Sequence, residues 1–168
     1  MTKILLVDDS KFLRLATERA LARAGYSVSS ATDGEQALEL ARNLNPDLIL
    51  LDMMLPKLPG PEVLKALKKD PGTADIPVVV VTGLSQKNAP RLQHDGAFGY
   101  LEKSELGLDK GCESLLRAVA DIIQQLPARK PVNSPVNSKE PPKKQGITSE
   151  SGPKKPKSAL AAKQASRS

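Results

Sequence analysis

The 168-residue chain has no tryptophan, two tyrosines, two phenylalanines and a single cysteine. One cysteine excludes an internal disulfide and any cysteine-rich metal centre. Cys112 stands near Leu115, Leu116 and Val119 and reads as a small packed hydrophobe. Long apolar runs are also missing, and none approaches the length of a membrane span. The opening MTKILLVDDS places four aliphatic residues ahead of two acids, which is not the pattern of a signal peptide. A cytoplasmic location is therefore expected.

Acidic charge is scarce in one part of the chain only. Formal net charge is +6, yet residues 1–127 hold 15 basic and 17 acidic side chains, whereas residues 128–168 hold ten and two. That last segment also carries six prolines, no aromatic residue and only four large aliphatics, Val132, Val136, Ile147 and Leu160. Such a composition cannot bury enough surface to offset its ordering entropy. The expected organisation is a folded domain over 1–127 and a disordered basic tail over 128–168. Runs such as Pro-Pro-Lys-Lys (141–144) and Lys-Lys-Pro-Lys (154–157) suit a nonspecific anionic partner. Nucleic acid, an acidic protein and a membrane surface all qualify, and binding to nucleic acid would depend steeply on salt. No helix-turn-helix pattern supports sequence-specific DNA recognition.

What the first 127 residues do contain is a regular alternation. Residues 3–7, KILLV, form a compact apolar run. Phe12, Leu13, Ala16, Ala20, Leu21 and Ala24 then recur at helical spacing, with Ser10 placed to cap the helix and Gly25 to end it. A weak strand over 26–30 precedes a helix opened by Asp33-Gly34 and stopped by Asn45-Pro46. Leu48 to Leu51 is a third strand. A helix over 61–69 follows, halting at Asp70-Pro71; Ile76 to Val81 is a fourth strand, and 98–101 a short fifth. A last helix runs from about Gly111 to Leu126. Strands that are apolar throughout, instead of alternating, belong to a parallel sheet covered on both faces. The expected fold is a doubly wound α/β domain.

In such sheets, ligands sit beyond the carboxyl ends of the strands. Those ends carry chemistry here. Strand 1 delivers Asp8 and Asp9, strand 3 delivers Asp52, strand 4 delivers Thr82, and strand 5 leads to Lys103. With strands 1 and 3 adjacent, three carboxylates converge, and two charges about 4 Å apart repel by about 4 kcal/mol at an effective dielectric near 20. Either the acids hold protons or a cation compensates them. Oxygen-only ligation with room for water suits Mg2+. Asp52, held by a rigid strand beside that ion, suits nucleophilic attack on a phosphoryl group. Lys103 supplies a second cation, Thr82 a hydroxyl, and Gly83 leaves the approach open.

At this point the sequence resembles a known family, the receiver domain of two-component response regulators. The resemblance spans residues 3 to about 125 and rests on KILLVDDS, LILLDMMLPKLPGPEVL, PVVVVTG and FGYLEKS, including the 30-residue step from Asp52 to Thr82. It implies a flavodoxin-like five-stranded sheet in the order 2-1-3-4-5, with Asp52 as phosphoacceptor. It further implies that Asp9, Asp52 and the backbone carbonyl of Met54 ligate Mg2+, Asp8 assisting through water, and that Thr82 and Lys103 bind phosphoryl oxygens. Tyr100, three before the lysine, matches an aromatic whose rotamer follows the threonine. Leu55 and Pro56 are left to pack and to bend the loop away. The implied function is a phosphorylation-controlled protein-binding switch or a phosphorelay intermediate, charged by a histidine kinase or phosphotransfer protein and acting on an output protein the sequence does not identify.

Three features depart from the family pattern. Ser104 follows Lys103 where proline is usual, Pro59-Gly60 stands where Asp-Gly is common, and Pro90 interrupts the helix between strands 4 and 5, implying a short or displaced helix. His94, the sole histidine, lies beside Asp95-Gly96 and reads as a surface residue, without the helical setting of a phosphorelay histidine. An aspartate-nucleophile phosphatase needs a second acid two positions after its nucleophile. Met54 occupies that position after Asp52, so an enzyme beyond self-directed phosphotransfer and dephosphorylation is not expected.

Overall fold

A computed structural model describes residues 1–83, 89–104 and 112–127. The elements are β1 (Lys3–Val7), α1 (Lys11–Arg23), β2 (Ser27–Ala31), α2 (Gly34–Leu44), β3 (Leu48–Asp52), α3 (Gly60–Lys69), β4 (Val78–Thr82), α4 (Ala89–His94), β5 (Gly99–Glu102) and α5 (Glu113–Gln125). All five strands are parallel, in the order β2-β1-β3-β4-β5. The tail over 128–168, expected to be disordered, lies outside the described residues, as do 84–88 and 105–111.

The continuous apolar strands divide their side chains between two layers, because successive residues of a strand point to opposite faces. Leu5, Val7, Ile49, Leu51, Val78 and Val80 pack with Ala37, Ala41, Val63, Leu64 and Leu67 of α2 and α3. Ile4, Leu6, Leu48, Leu50, Val79 and Val81 pack with Leu21, Leu115 and Val119 of α1 and α5. Cys112 belongs to this second layer and is buried. Every residue of β3 and β4 is buried.

Strand limits differ slightly from the sequence expectation. β4 begins at Val78 instead of Ile76, since Pro77 has no N–H and only its carbonyl joins the sheet, accepting from Ile49 at 3.0 Å. β2 and β5 each begin and end one residue later than expected. Pro90, expected to interrupt a helix, instead sits in the first turn of α4, where the missing N–H has no intrahelical partner to lose. That helix is short, as expected. His94 is exposed.

Two glycines fix the loop from β3 to α3. A Cβ on Gly60 would come within 2.5 Å of Met53 Cα and 2.6 Å of the Asp52 carbonyl oxygen. A Cβ on Gly34 would meet the Leu58 carbonyl at 2.6 Å. The loop is thus held against β3 at one end and α2 at the other. It bends at Lys57, with φ +64°, where the Leu58 N–H reaches the Pro56 carbonyl at 2.8 Å. Leu55 packs on the core, as expected, while Pro56 is exposed and serves the bend through its carbonyl. Gly60→Ala is expected to lower stability by about 1–3 kcal/mol through this overpacking. Urea denaturation checks it, with Gly83→Ala as control, since a Cβ at Gly83 meets nothing within 4 Å.

Candidate functional site

Asp8 and Asp9 follow β1, and Asp52 ends β3, the two strands being paired in register with Val7 opposite Leu51. One carboxylate oxygen from each of the three acids lies within 4.8 Å of the other two. Asp8 and Asp52 are buried, at 7% and 4% exposure, while Asp9 faces solvent.

The two buried acids are held alike. Ser10 N–H donates to Asp8 Oδ1 at 2.8 Å, and Met54 N–H donates to Asp52 Oδ1 at 3.1 Å. Each acid thereby closes an Asx-type turn over the residue two positions on. Their Oδ2 atoms share one cation. Lys103 Nζ stands 2.8 Å from Asp52 Oδ2 and 3.1 Å from Asp8 Oδ2. Lys103 begins the turn after β5, its N–H bound to the Thr82 carbonyl at 2.8 Å. Thr82, the last residue of β4, is itself buried. Gly83 is exposed, and a Cβ there would meet nothing within 4 Å, so the steric space does not demand glycine.

Met54 turns its side chain outward at 68% exposure, leaving its backbone toward the acids through the Asp52 contact. Tyr100 packs against the α2–α3 layer and donates its hydroxyl to Glu102 Oε1 at 2.6 Å. The structure therefore assembles Asp8, Asp9, Asp52 and Lys103 as one cluster, with Thr82, Gly83 and Met54 on the adjoining strand ends. Tyr100 stands on the opposite face of β5 from Lys103.

Sequence reasoning missed two participants. Arg14 Nη1 donates to the Asp8 carbonyl at 3.0 Å, tying α1 to the end of β1. Glu102 receives Tyr100. Backbone carbonyl targets leave no trace in residue type, so Arg14 carried no signal. Glu102, two from Tyr100 on a strand, could have been found from side-chain alternation.

The charges are unequal in their comfort. Burial pushes the Asp8 carboxyl above its ordinary value, against the Ser10 N–H and the Lys103 charge, and Asp52 adds like-charge repulsion. Burial works against the Lys103 ammonium too, but the Asp52 hydrogen bond and the charges of Asp8 and Asp52 outweigh it, holding the amine above its ordinary value. The two directions are compatible, because one ammonium gains from two carboxylates while each carboxylate gets half a partner. A raised carboxyl favours folding only while it keeps its proton. Its contribution is complete below the unfolded value of 3.8 and is lost as pH rises through the folded value. Asp8→Asn, free of metal, is thus expected to be more stable than the parent at neutral pH. The advantage should vanish below pH 3.8, as checked by urea midpoints across pH.

Three oxygen donors, one of them open to water, fit a hard divalent cation of Mg2+ type, and among the described residues the cluster includes no cysteine or histidine to select a softer one. No helix among the described residues is long and apolar enough to cross a membrane.

Comparison with known proteins agrees with this geometry. The response regulator receiver domain family matches residues 4–111. A gliding motility regulatory protein of Myxococcus xanthus is 45% identical over 109 residues, covering 64% of this chain and 14% of that protein. The DNA-binding dual master transcriptional regulator RpaA of Synechocystis is 36% identical over 126 residues, covering 75% of this chain and 46% of that protein. This chain therefore spans less than half the length of either relative. The chemotaxis protein CheY4 of Vibrio cholerae superposes with a TM-score of 0.65 at 30% identity, over 73% of this chain and 98% of that one. A CheY-like receiver domain from Methanospirillum hungatei gives 0.65 at 26% identity, over 75% and 96%. Taken with the acids and lysine gathered at the strand ends, these matches place the chain in the response regulator receiver domain family.

Proposed function

We propose that Asp52 accepts a phosphoryl group from a phosphohistidine of a histidine kinase or phosphotransfer protein. The observation that carries this reading is the Lys103 ammonium shared between Asp52 and Asp8, beside a third carboxylate, at the rim of the sheet. An Asp52 carboxylate oxygen attacks phosphorus, and the P–N bond breaks. The bonding pair leaves with the imidazole, which is protonated by solvent. Phosphoryl transfer of this kind is mainly positioning and neutralisation of oxygen charge. Asp9, Asp52 and the Met54 carbonyl are the residues to hold Mg2+, with Asp8 acting through water. When bound, the ion supplies neutralisation of phosphoryl oxygen charge. Lys103 and the Thr82 hydroxyl bind the remaining phosphoryl oxygens, and Gly83 keeps the entrance free.

The added charge then draws Thr82 inward, and Tyr100 follows, so that the surface over β4 and β5 changes. We propose that output runs through contact with another protein or through onward phosphoryl transfer.

Incubation with acetyl phosphate and Mg2+, followed by peptide mapping, tests the assignment. One acyl phosphate on Asp52, absent when a chelator replaces the metal, is expected. Phosphate on another residue, or uptake indifferent to chelation, overturns it.

A further inference from the structure

β5 ends in a second polar cluster, turned away from the acids. Tyr100 and Glu102 are two apart and leave the strand on the same face, while alternation sends Lys103 to the other. The Tyr100 hydroxyl donates to Glu102 Oε1 at 2.6 Å, and the Ser104 hydroxyl donates to Glu102 Oε2 at 3.3 Å. One carboxylate thus takes a hydroxyl from a residue before Lys103 and from the residue after it. Glu102 is half-buried and stands opposite Thr82 in the β4–β5 register. Tyr100 is itself anchored in the α2–α3 core layer.

We propose that Glu102 is a positioning residue for Lys103, a staple that fixes the strand end from which the lysine reaches Asp52. The reading rests on Lys103 and Asp52 forming the phosphoryl site. Lys103 is the first residue beyond the strand, and its ammonium sits on a flexible four-carbon stem. Such a stem delivers charge to one spot only if its Cα is held. The Lys103 N–H to Thr82 carbonyl bond fixes one side of the backbone. Across the strand, the Glu102 carboxylate accepts a short charge-assisted bond from Tyr100 and a longer one from the exposed Ser104. With φ of Lys103 and Ser104 unconstrained by any ring, this carboxylate does what a rigid residue after the lysine would do. An acid that merely faced solvent would not spend both oxygens on hydroxyls flanking one residue, nor make a 2.6 Å contact to a core-anchored tyrosine.

The test compares the full chain with Glu102→Ala and Glu102→Gln, in two measurements. The first is hydrogen exchange at the Lys103 amide in the resting protein. The second is the rate of acetyl phosphate labelling at saturating Mg2+, split into maximal rate and apparent KM. Alanine is expected to speed Lys103 exchange about tenfold and to lower the maximal rate about tenfold, as a misplaced group does. Apparent KM and the urea midpoint should stay put. Glutamine keeps a carbonyl for Tyr100 and an amide that meets the Ser104 hydroxyl, so it should restore both measurements. Tyr100→Phe and Ser104→Ala, each removing one donor, should fall between for Lys103 exchange. Parent-like exchange and labelling in Glu102→Ala, or a glutamine variant as impaired as the alanine one, overturns the staple. Should the parent protein take no phosphate on Asp52, the phosphoacceptor reading fails instead, and the exchange comparison still decides whether Glu102 holds the strand end.

Discussion

Asp52→Ala is expected to leave a folded protein that takes up no phosphoryl group from acetyl phosphate, whatever the Mg2+ concentration. Asp52 is the acid whose carboxylate is both buried and at the end of a fully buried strand, so no neighbour can take its geometry. Asp8 is closest in kind and its Oδ1 is held in the same way, but it lies beyond its strand and burial favours its protonated form. Asp9 is exposed and hydrated, without a lysine partner among the described residues. The fold should survive because two effects oppose. Losing Asp52 removes the part-buried Met54 N–H contact and half of the Lys103 pairing, at a cost of about 1–3 kcal/mol for hydrogen bonds to a charged group. It also removes repulsion of a similar size from the adjacent acids. Intact-mass measurement reads the uptake, and calorimetric titration the metal, whose affinity should fall at least about tenfold on loss of a ligand. Phosphate retained by the alanine variant would show another residue to be the acceptor.

How much of this was readable in the chain depends on what each element buries. β1, β3 and β4 are sandwiched between helices, so their apolar runs are unbroken and their ends are marked by the first acid or hydroxyl. Asp8, Asp52 and Thr82 could be placed for that reason. β2 is an edge strand reading SVSSA, only partly buried, and its limits slipped by one residue. β5, the other edge, slipped likewise. Proline signals were correct in kind and imprecise in place. Pro77 shortened β4, and Pro90 proved to be a first-turn residue instead of an interruption. The site's supporting contacts were the least legible. Arg14 reaches a carbonyl, Gly60 is required by a backbone approach, and neither target has a side-chain identity to read. Proximity in the sheet, not spacing in the chain, brings Glu102 beside Thr82.

Lys103→Met should separate the two cationic tasks of the site by moving them in opposite directions. The resting ammonium occupies the oxygens a divalent ion needs, with Asp52 Oδ2 at 2.8 Å and Asp8 Oδ2 at 3.1 Å. Removing it takes a competing positive charge from among three carboxylates. Mg2+ affinity should therefore rise about tenfold, the equivalent of 1.4 kcal/mol, a modest share of the interaction between charges at such distances. Labelling should nevertheless fall by about 10²–10³, the usual effect of losing one preorganised cation or donor aimed at developing oxygen charge. Methionine keeps the length and packing of the stem, so the loss belongs to the charge. Metal-free stability should drop at neutral pH as well, since the Lys103 ammonium is held above its ordinary value by its two acids, and its contribution is present below 10.5 only while those acids carry charge. Saturating Mg2+ should recover most of that stability while leaving labelling low. Parallel falls in metal affinity and labelling would mean that Lys103 shapes the pocket instead of completing its charge.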